Sequence, residues 1–182
     1  MPDLVRRYDT MLGLIKPNEK ETSLLDLGCG TGMLYEHILN NPIKNKIHYS
    51  GLDLNPKSIE CGKNKFPEVE FFCVDILKNP EQVRPFDYIV MNGVFTEKID
   101  LSFESMLAYF KQMIRVVFPK VDQGIAFNVM SKQVEWEKDF LFHLPLDTLA
   151  DFLTKEISRN FIIRNDYQLF EYTTYVYKDG DG

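Results

Sequence analysis

Three glycines, Gly28, Gly30 and Gly32, alternate through the string LDLGCGTG. Such spacing lets a chain turn sharply and brings bare backbone up to a ligand, because a side chain there would block the approach. Asp26 precedes the first glycine by two residues, and Asp53 follows the third by 21. Asp75 comes after a further 22, with Ile76 beside it. Carboxylates at these places accept charge-assisted hydrogen bonds from hydroxyl and amino groups, and a helix opening near Thr31 turns N–H groups toward an anion. The chemistry on offer is recognition of a ligand with hydroxyls, an amino group and an acidic end. Singly, Asp53 and Asp75 read equally well as caps of loops or helices. Their joint occurrence with the glycine turn carries the ligand reading. Asn92-Gly93, at the end of FDYIVMNG, is a further candidate, and could also be no more than a turn.

Regular elements must hold these residues in register. Leu4, Tyr8, Met11, Leu12 and Ile15 recur at helical spacing over residues 3–16 until Pro17 and Asn18 break the pattern. The run SLLDLGCGTG, 23–32, is an apolar strand stopping in glycines, and a helix over 33–41 ends at Pro42. HYSGLDL, 48–54, is the next strand, and Asn55 followed by Pro56 caps a helix reaching about Lys65. VEFFCVD, 69–75, and FDYIVMNG, 86–93, are too continuously apolar for half-exposed strands, so both are expected to be central. Met106, Leu107, Phe110, Met113, Ile114 and Val117 share one helix face ended by Pro119, and GIAFNVM, 124–130, is a fifth strand. After a helix near 146–158, FIIRNDY and EYTTYVY are separated only by Gln168, Leu169 and Phe170, which permits only an antiparallel hairpin.

Strands alternating with helices require a parallel sheet covered on both faces. The expectation is a doubly wound α/β domain with a mostly parallel, seven-stranded sheet closed by an antiparallel hairpin. From end to end this pattern, with LDLGCGTG, resembles the class I S-adenosylmethionine-dependent methyltransferases. The resemblance implies the strand order 3-2-1-4-5-7-6 with helices on both faces. It implies one domain over 1–182, with 1–22 as lead-in and 131–146 as an acceptor-side lid. S-adenosylmethionine is the implied cofactor and S-adenosylhomocysteine the product.

The site residues follow from the same likeness. Gly28, Cys29, Gly30 and Gly32 would cradle the methionine end of the cofactor, and Asp26 would hold the loop and the ammonium group. Asp53, with Leu54, would take the ribose; Asp75 would take the adenine amino group with Ile76 packing on the ring. Asn92 and Gly93 would line the methyl-transfer channel, and Arg7, or its neighbour Arg6, would reach the cofactor carboxylate. A nicotinamide enzyme also uses a strand-end acid, but its G-x-G-x-x-G spacing sets the third glycine one residue later than Gly32.

The acceptor side is less specified. Met91-Asn92-Gly93-Val94-Phe95 lacks the proline pair of methyltransferases acting on exocyclic or amide nitrogen, which argues against bases and glutamine as acceptors. Trp136, Phe140, Phe142 and His143 lie where this fold builds its acceptor pocket, and His143 is the one histidine placed to act as a base. The net charge of −6 and pI near 5.1 provide no basic field for nucleic acid. Cys29, Cys61 and Cys73 lack CxxC spacing, which suggests no metal site and a reducing, cytoplasmic compartment. No apolar run approaches the roughly 18 residues that span a bilayer. The expected activity is methyl transfer to oxygen or nitrogen of a small molecule, with no membrane partner; an inactive cofactor-binding subunit of the same fold is the alternative. Oligomeric state is not readable.

Overall fold

The computed structural model describes residues 2–17, 20–42 and 46–178. Asn18, read above as a helix breaker, lies outside the described residues. The elements run α1 (Pro2–Leu12), β1 (Thr22–Leu27), α2 (Met33–Leu39), β2 (Ile47–Leu52), α3 (Pro56–Lys65), β3 (Glu70–Phe72) and β4 (Phe86–Phe95). There follow α4 (Phe103–Val117), β5 (Val121–Ser131), β6 (His143–Leu144), α5 (Leu146–Glu156), β7 (Phe161–Arg164) and β8 (Glu171–Tyr177).

The strands form one sheet in the order β3-β2-β1-β4-β5-β8-β7, with β6 paired to the end of β5. β1 to β5 run parallel to one another, while β8 is antiparallel to both β5 and β7. This is the expected order, the final pair renumbered because β6 intervenes. A two-residue strand carries no period, so β6 is invisible to sequence patterning.

Two apolar clusters occupy opposite faces. One packs α4 and α5 on the sheet through Phe95, Phe110, Phe127 and Phe152. Phe95–Phe110 and Phe110–Phe127 meet edge-on with centroids 5.0 and 5.3 Å apart, the arrangement that aromatic quadrupoles favour. The other cluster packs α1, α2 and α3 through residues such as Met11, Leu34 and Ile59. The α1 end is tied to the sheet by Tyr177, whose hydroxyl donates to the Leu14 carbonyl at 3.0 Å, and by Tyr175, which donates to Thr10.

Three expectations shift. The first helix stops at Leu12, and 13–15 become turns. β3 is three residues long at the sheet edge, with only Phe71 of its residues buried, so VEFFCVD is not a central strand. Its Val74 belongs to the loop beyond the strand and lines a cavity together with the following Ile76, which accounts for the apolar character of the run. β7 ends at Arg164, leaving six residues, 165–170, in the hairpin loop, with Gln168 at φ +61°.

The caps follow simple chemistry. Asn55 Oδ1 accepts from the Lys57 and Ser58 N–H groups at the start of α3, and Ser102 Oγ accepts from the Ser105 N–H at 3.1 Å at the start of α4. Ser102→Ala orphans that donor and is expected to lower stability by about 1 kcal/mol, read as a shift in denaturant midpoint at unchanged slope.

Candidate active site

The carboxyl ends of β1, β2 and β4 converge on a cavity of about 370 Å³. Gly28 leaves β1 at φ +81°, and a Cβ there would lie 2.7 Å from Val94 Cγ2, so both the turn and the close approach of β4 require glycine. The turn is locked from inside. The Gly28 and Cys29 N–H groups donate to the Leu52 carbonyl at 2.7 and 3.1 Å, Gly32 N–H to the Cys29 carbonyl, and Gly30 N–H to Asp53 Oδ2 at 2.9 Å. Those four donors are thus engaged within the protein. The helix that follows, α2, has only seven residues. What the turn offers a ligand is bare main chain: no atom stands within 4 Å of where a Gly30 Cβ would sit.

Asp53 lines the cavity just beyond β2, and its Oδ1 accepts the Asn55 N–H at 2.8 Å. One carboxylate therefore joins the glycine turn to the start of α3. Each of its oxygens keeps lone-pair capacity for a ligand hydroxyl. Leu54 and Asp75 line the same cavity, as does Ile76, 2% exposed. Asp75 Oδ1 accepts from Leu77 N–H at 3.1 Å, and Oδ2 lies 3.2 Å from Lys78 Nζ. Desolvation raises the Asp75 pKa, but Lys78 and the Leu77 N–H outweigh it, so the group sits below the ordinary carboxylate value. Asp75 both closes its own turn and borders the cavity.

Asp26 lies beneath this surface, 3% exposed, with Tyr49 OH donating to its Oδ2 at 2.8 Å. Burial, with the negative charge of Asp53, pushes its pKa up to about 7 despite the Tyr49 bond. Cys29 is buried beside it, and desolvation, aided by the Asp26 and Asp53 charges, pushes its thiol far above the ordinary range. Its place is packing, since the thiolate is the reactive form. Alkylation of the folded chain is expected to label the exposed Cys61 and Cys73 and spare Cys29, giving two adducts by mass spectrometry before unfolding and three after.

β4 carries an irregularity at the decisive point. Met91 pairs with Phe127 and Phe95 with Val129, so β4 advances four residues while β5 advances two. The excess bulges outward at Asn92, Gly93 and Val94, with Gly93 at φ +77°. Asn92 and Gly93 border the first cavity and also a second, of about 380 Å³, on the side toward α1, β5 and β8. Asn92 Oδ1 is buried without a hydrogen-bond partner, an acceptor that awaits a donor.

Arg7 is not at the first cavity. Its Nε donates to both oxygens of the buried Glu171, at 2.9 and 3.0 Å, on the wall of the second cavity. His143 borders neither. It lines a third cavity across the segment 138–141, with its Nδ1–H donating to the Ser131 carbonyl at 2.6 Å and Nε2 unpartnered. The expected lid aromatics separate: Phe142 is core, Phe140 borders the second cavity, and Trp136 stacks edge-on against His143 and Phe170. Tyr109, Met113 and Val94 complete the first cavity without having been singled out for it.

The donor set fits an adenosyl amino acid: two carboxylates for hydroxyl and amino groups, apolar walls from Val74, Ile76 and Leu77 for a base, and the orphaned Asn92 oxygen for an ammonium. Residues 24–120 match the methyltransferase domain family. A Mycobacterium tuberculosis protein described as a methyltransferase is 24% identical over 161 residues, 86% of this chain and 93% of that one. The malonyl-[acyl-carrier protein] O-methyltransferase of Acetivibrio thermocellus is 32% identical over 90 residues, and the match spans 48% of this chain but only 31% of the relative. Among solved structures, magnesium protoporphyrin IX methyltransferase from Synechocystis PCC 6803 with bound S-adenosylmethionine superposes with TM-score 0.61 at 14% identity, over 97% of this chain and 77% of that one. Human N-acetylserotonin methyltransferase gives 0.69 at 13%, over 94% and 51%. At such identities the likeness speaks for the fold, and the family match over more than half the chain speaks for the chemistry. The chain belongs to the methyltransferase domain family and is a class I, S-adenosylmethionine-dependent methyltransferase.

Proposed function

We propose that this enzyme, acting as a single domain, methylates oxygen or nitrogen of a small molecule held in the second cavity. The observation that carries the reading is that Asn92 and Gly93 line both cavities, so a donor in one and an acceptor in the other would lie on either side of the same bulge. A volume of about 380 Å³ suits a metabolite rather than a polymer. In this reading Asp53 and Leu54 hold the ribose, and Asp75 with Ile76 holds the adenine. Asp26, Cys29 and the three glycines of the turn support the methionine end, and Asn92 with Gly93 sets the channel. Arg7 belongs to the acceptor wall.

The bound sulfonium supplies an activated methyl carbon, so the protein's task is alignment. Holding nucleophile, carbon and sulfur in line is worth roughly 7 to 11 kcal/mol of barrier. His143, across the 138–141 segment, takes no part in the transfer on this reading. No helix among the described residues is long and apolar enough to cross a membrane, and the cysteine complement supports a reducing, cytoplasmic setting.

The test is incubation with methyl-labelled cofactor and a metabolite extract, followed by separation by size. Label is expected in the small-molecule fraction. Label confined to protein or nucleic acid, or none transferred, overturns the reading.

A further inference from the structure

The geometry points to a hydroxyl or amine, and not a carboxylate, as the reacting group of the acceptor. This rests on reading the second cavity as the acceptor cavity. From the bulge outward, its wall is a single hydrogen-bonded chain. Gly93 N–H donates to Asn128 Oδ1 at 2.7 Å, Asn128 Nδ2 donates to Glu171 Oε1 at 2.9 Å, and Arg7 Nε closes the chain on Glu171. The amide of Asn128 is therefore oriented at both ends, its oxygen committed to the bulge.

The order of charge along this chain is what selects. Glu171 stands one link nearer the methyl-transfer point than Arg7, and it is 1% exposed where the Arg7 side chain is 36% exposed. Lys138 and Glu97, both exposed, border the cavity further out. On the wall nearest the bulge stand two acceptor groups, the Glu171 carboxylate, which carries negative charge, and the unpartnered Asn92 Oδ1. An acceptor oxygen needs a donor, which a hydroxyl or amine supplies while keeping a lone pair for the incoming methyl. A carboxylate in that position offers no hydrogen and sets like charges together away from water. Any acidic group of the acceptor is directed outward instead, toward Arg7 and Lys138.

Arg7 and Asn128 hold the Glu171 carboxylate with three hydrogen bonds, which leaves Oε2 lone-pair capacity to receive and orient the donor. The ion pair, buried at its Glu171 end, costs desolvation that an apolar pair would avoid, and a recognition role accounts for its presence.

The experiment uses the intact chain saturated with S-adenosylhomocysteine and follows the Gly93 backbone amide and the Asn128 side-chain amide by NMR. Benzylamine, benzyl alcohol and benzoate are titrated as probes. Benzylamine and benzyl alcohol are expected to shift both signals saturably, with benzoate weaker by about tenfold or more. Glu171→Gln, which keeps shape and removes charge, is expected to narrow the amine-to-benzoate ratio to about threefold or less. Should that variant fail to fold, the wild-type comparison stands alone. Benzoate binding as tightly as the amine, or a variant that keeps the full preference, overturns the inference and leaves the acceptor cavity standing. If no probe shifts either signal although S-adenosylhomocysteine binds, the acceptor cavity itself is wrongly assigned, and the inference falls with it.

Discussion

Asp53→Ala is expected to weaken S-adenosylhomocysteine binding roughly ten- to a hundredfold, ~1.5 to 3 kcal/mol. Two losses combine. The carboxylate is the acceptor proposed for the ribose hydroxyls, and charged acceptors form the stronger hydrogen bonds. It also accepts Gly30 N–H at 2.9 Å and Asn55 N–H at 2.8 Å, so its removal frees the glycine turn and leaves two donors in search of water. Isothermal titration measures the affinity, and a melting curve on the same sample separates lost contact from lost fold. Asp53→Asn keeps one acceptor oxygen toward Gly30 or the ribose but turns an amide donor toward the other, so its loss is expected to be intermediate. Unchanged affinity in a folded alanine variant would remove Asp53 from the ribose site.

The legibility of this chain in its sequence was uneven, for reasons that differ from element to element. Alternating apolar runs and helical faces point to a mostly parallel sheet covered on both faces, because short connections between parallel strands must cross over through a helix, while its strand order is what the family resemblance implies. Gly28, Asp53, Asp75, Ile76 and the Asn92–Gly93 bulge all border one cavity, since strand ends bring such residues together whatever lies between them. Tyr109 and Met113 escaped notice because helical periodicity marks a face as apolar without telling core from cavity wall. The turn's own N–H groups bond to Leu52, Cys29 and Asp53, which the spacing of the glycines does not foretell.

The Arg7–Glu171–Asn128 chain was harder still. Arg7 and Glu171 lie 164 residues apart, and the chain forms only once β8 pairs antiparallel with β5, setting Glu171 opposite Met130 and Asn128 opposite Thr173. One signal was present: a lone asparagine inside the apolar run GIAFNVM. A buried strand tolerates such a side chain only with partners for both ends of its amide. His143 shows the converse, a residue type suggestive of catalysis whose strand, β6, carries it away from the meeting point of the two cavities.

Asp26 makes the stability of the ligand-free chain depend on pH with a sign opposite to that of most carboxylates. Its folded pKa is pushed up to about 7 by burial and by Asp53, against an ordinary value of 3.8. The folded chain therefore holds a proton that the unfolded chain has lost throughout that window. The stabilisation is complete below the unfolded value and is lost as pH rises through the folded one, at up to ~1.4 kcal/mol per pH unit and on the order of 4 kcal/mol in full. Asp26→Asn mimics the protonated form at every pH. Thermal melts of both proteins are expected to nearly coincide near pH 4, to diverge in favour of the variant up to pH 7, and to run parallel above about pH 8. Tyr49→Phe removes the one bond that favours the carboxylate and extends the divergence to higher pH. Curves separated by a constant interval from pH 4 to 8 would show that Asp26 titrates normally. The same buried charge bears on function: with a cofactor ammonium held above the glycine turn, as proposed, the carboxylate is favoured, so binding near pH 6.5 is expected to release protons that the asparagine variant does not.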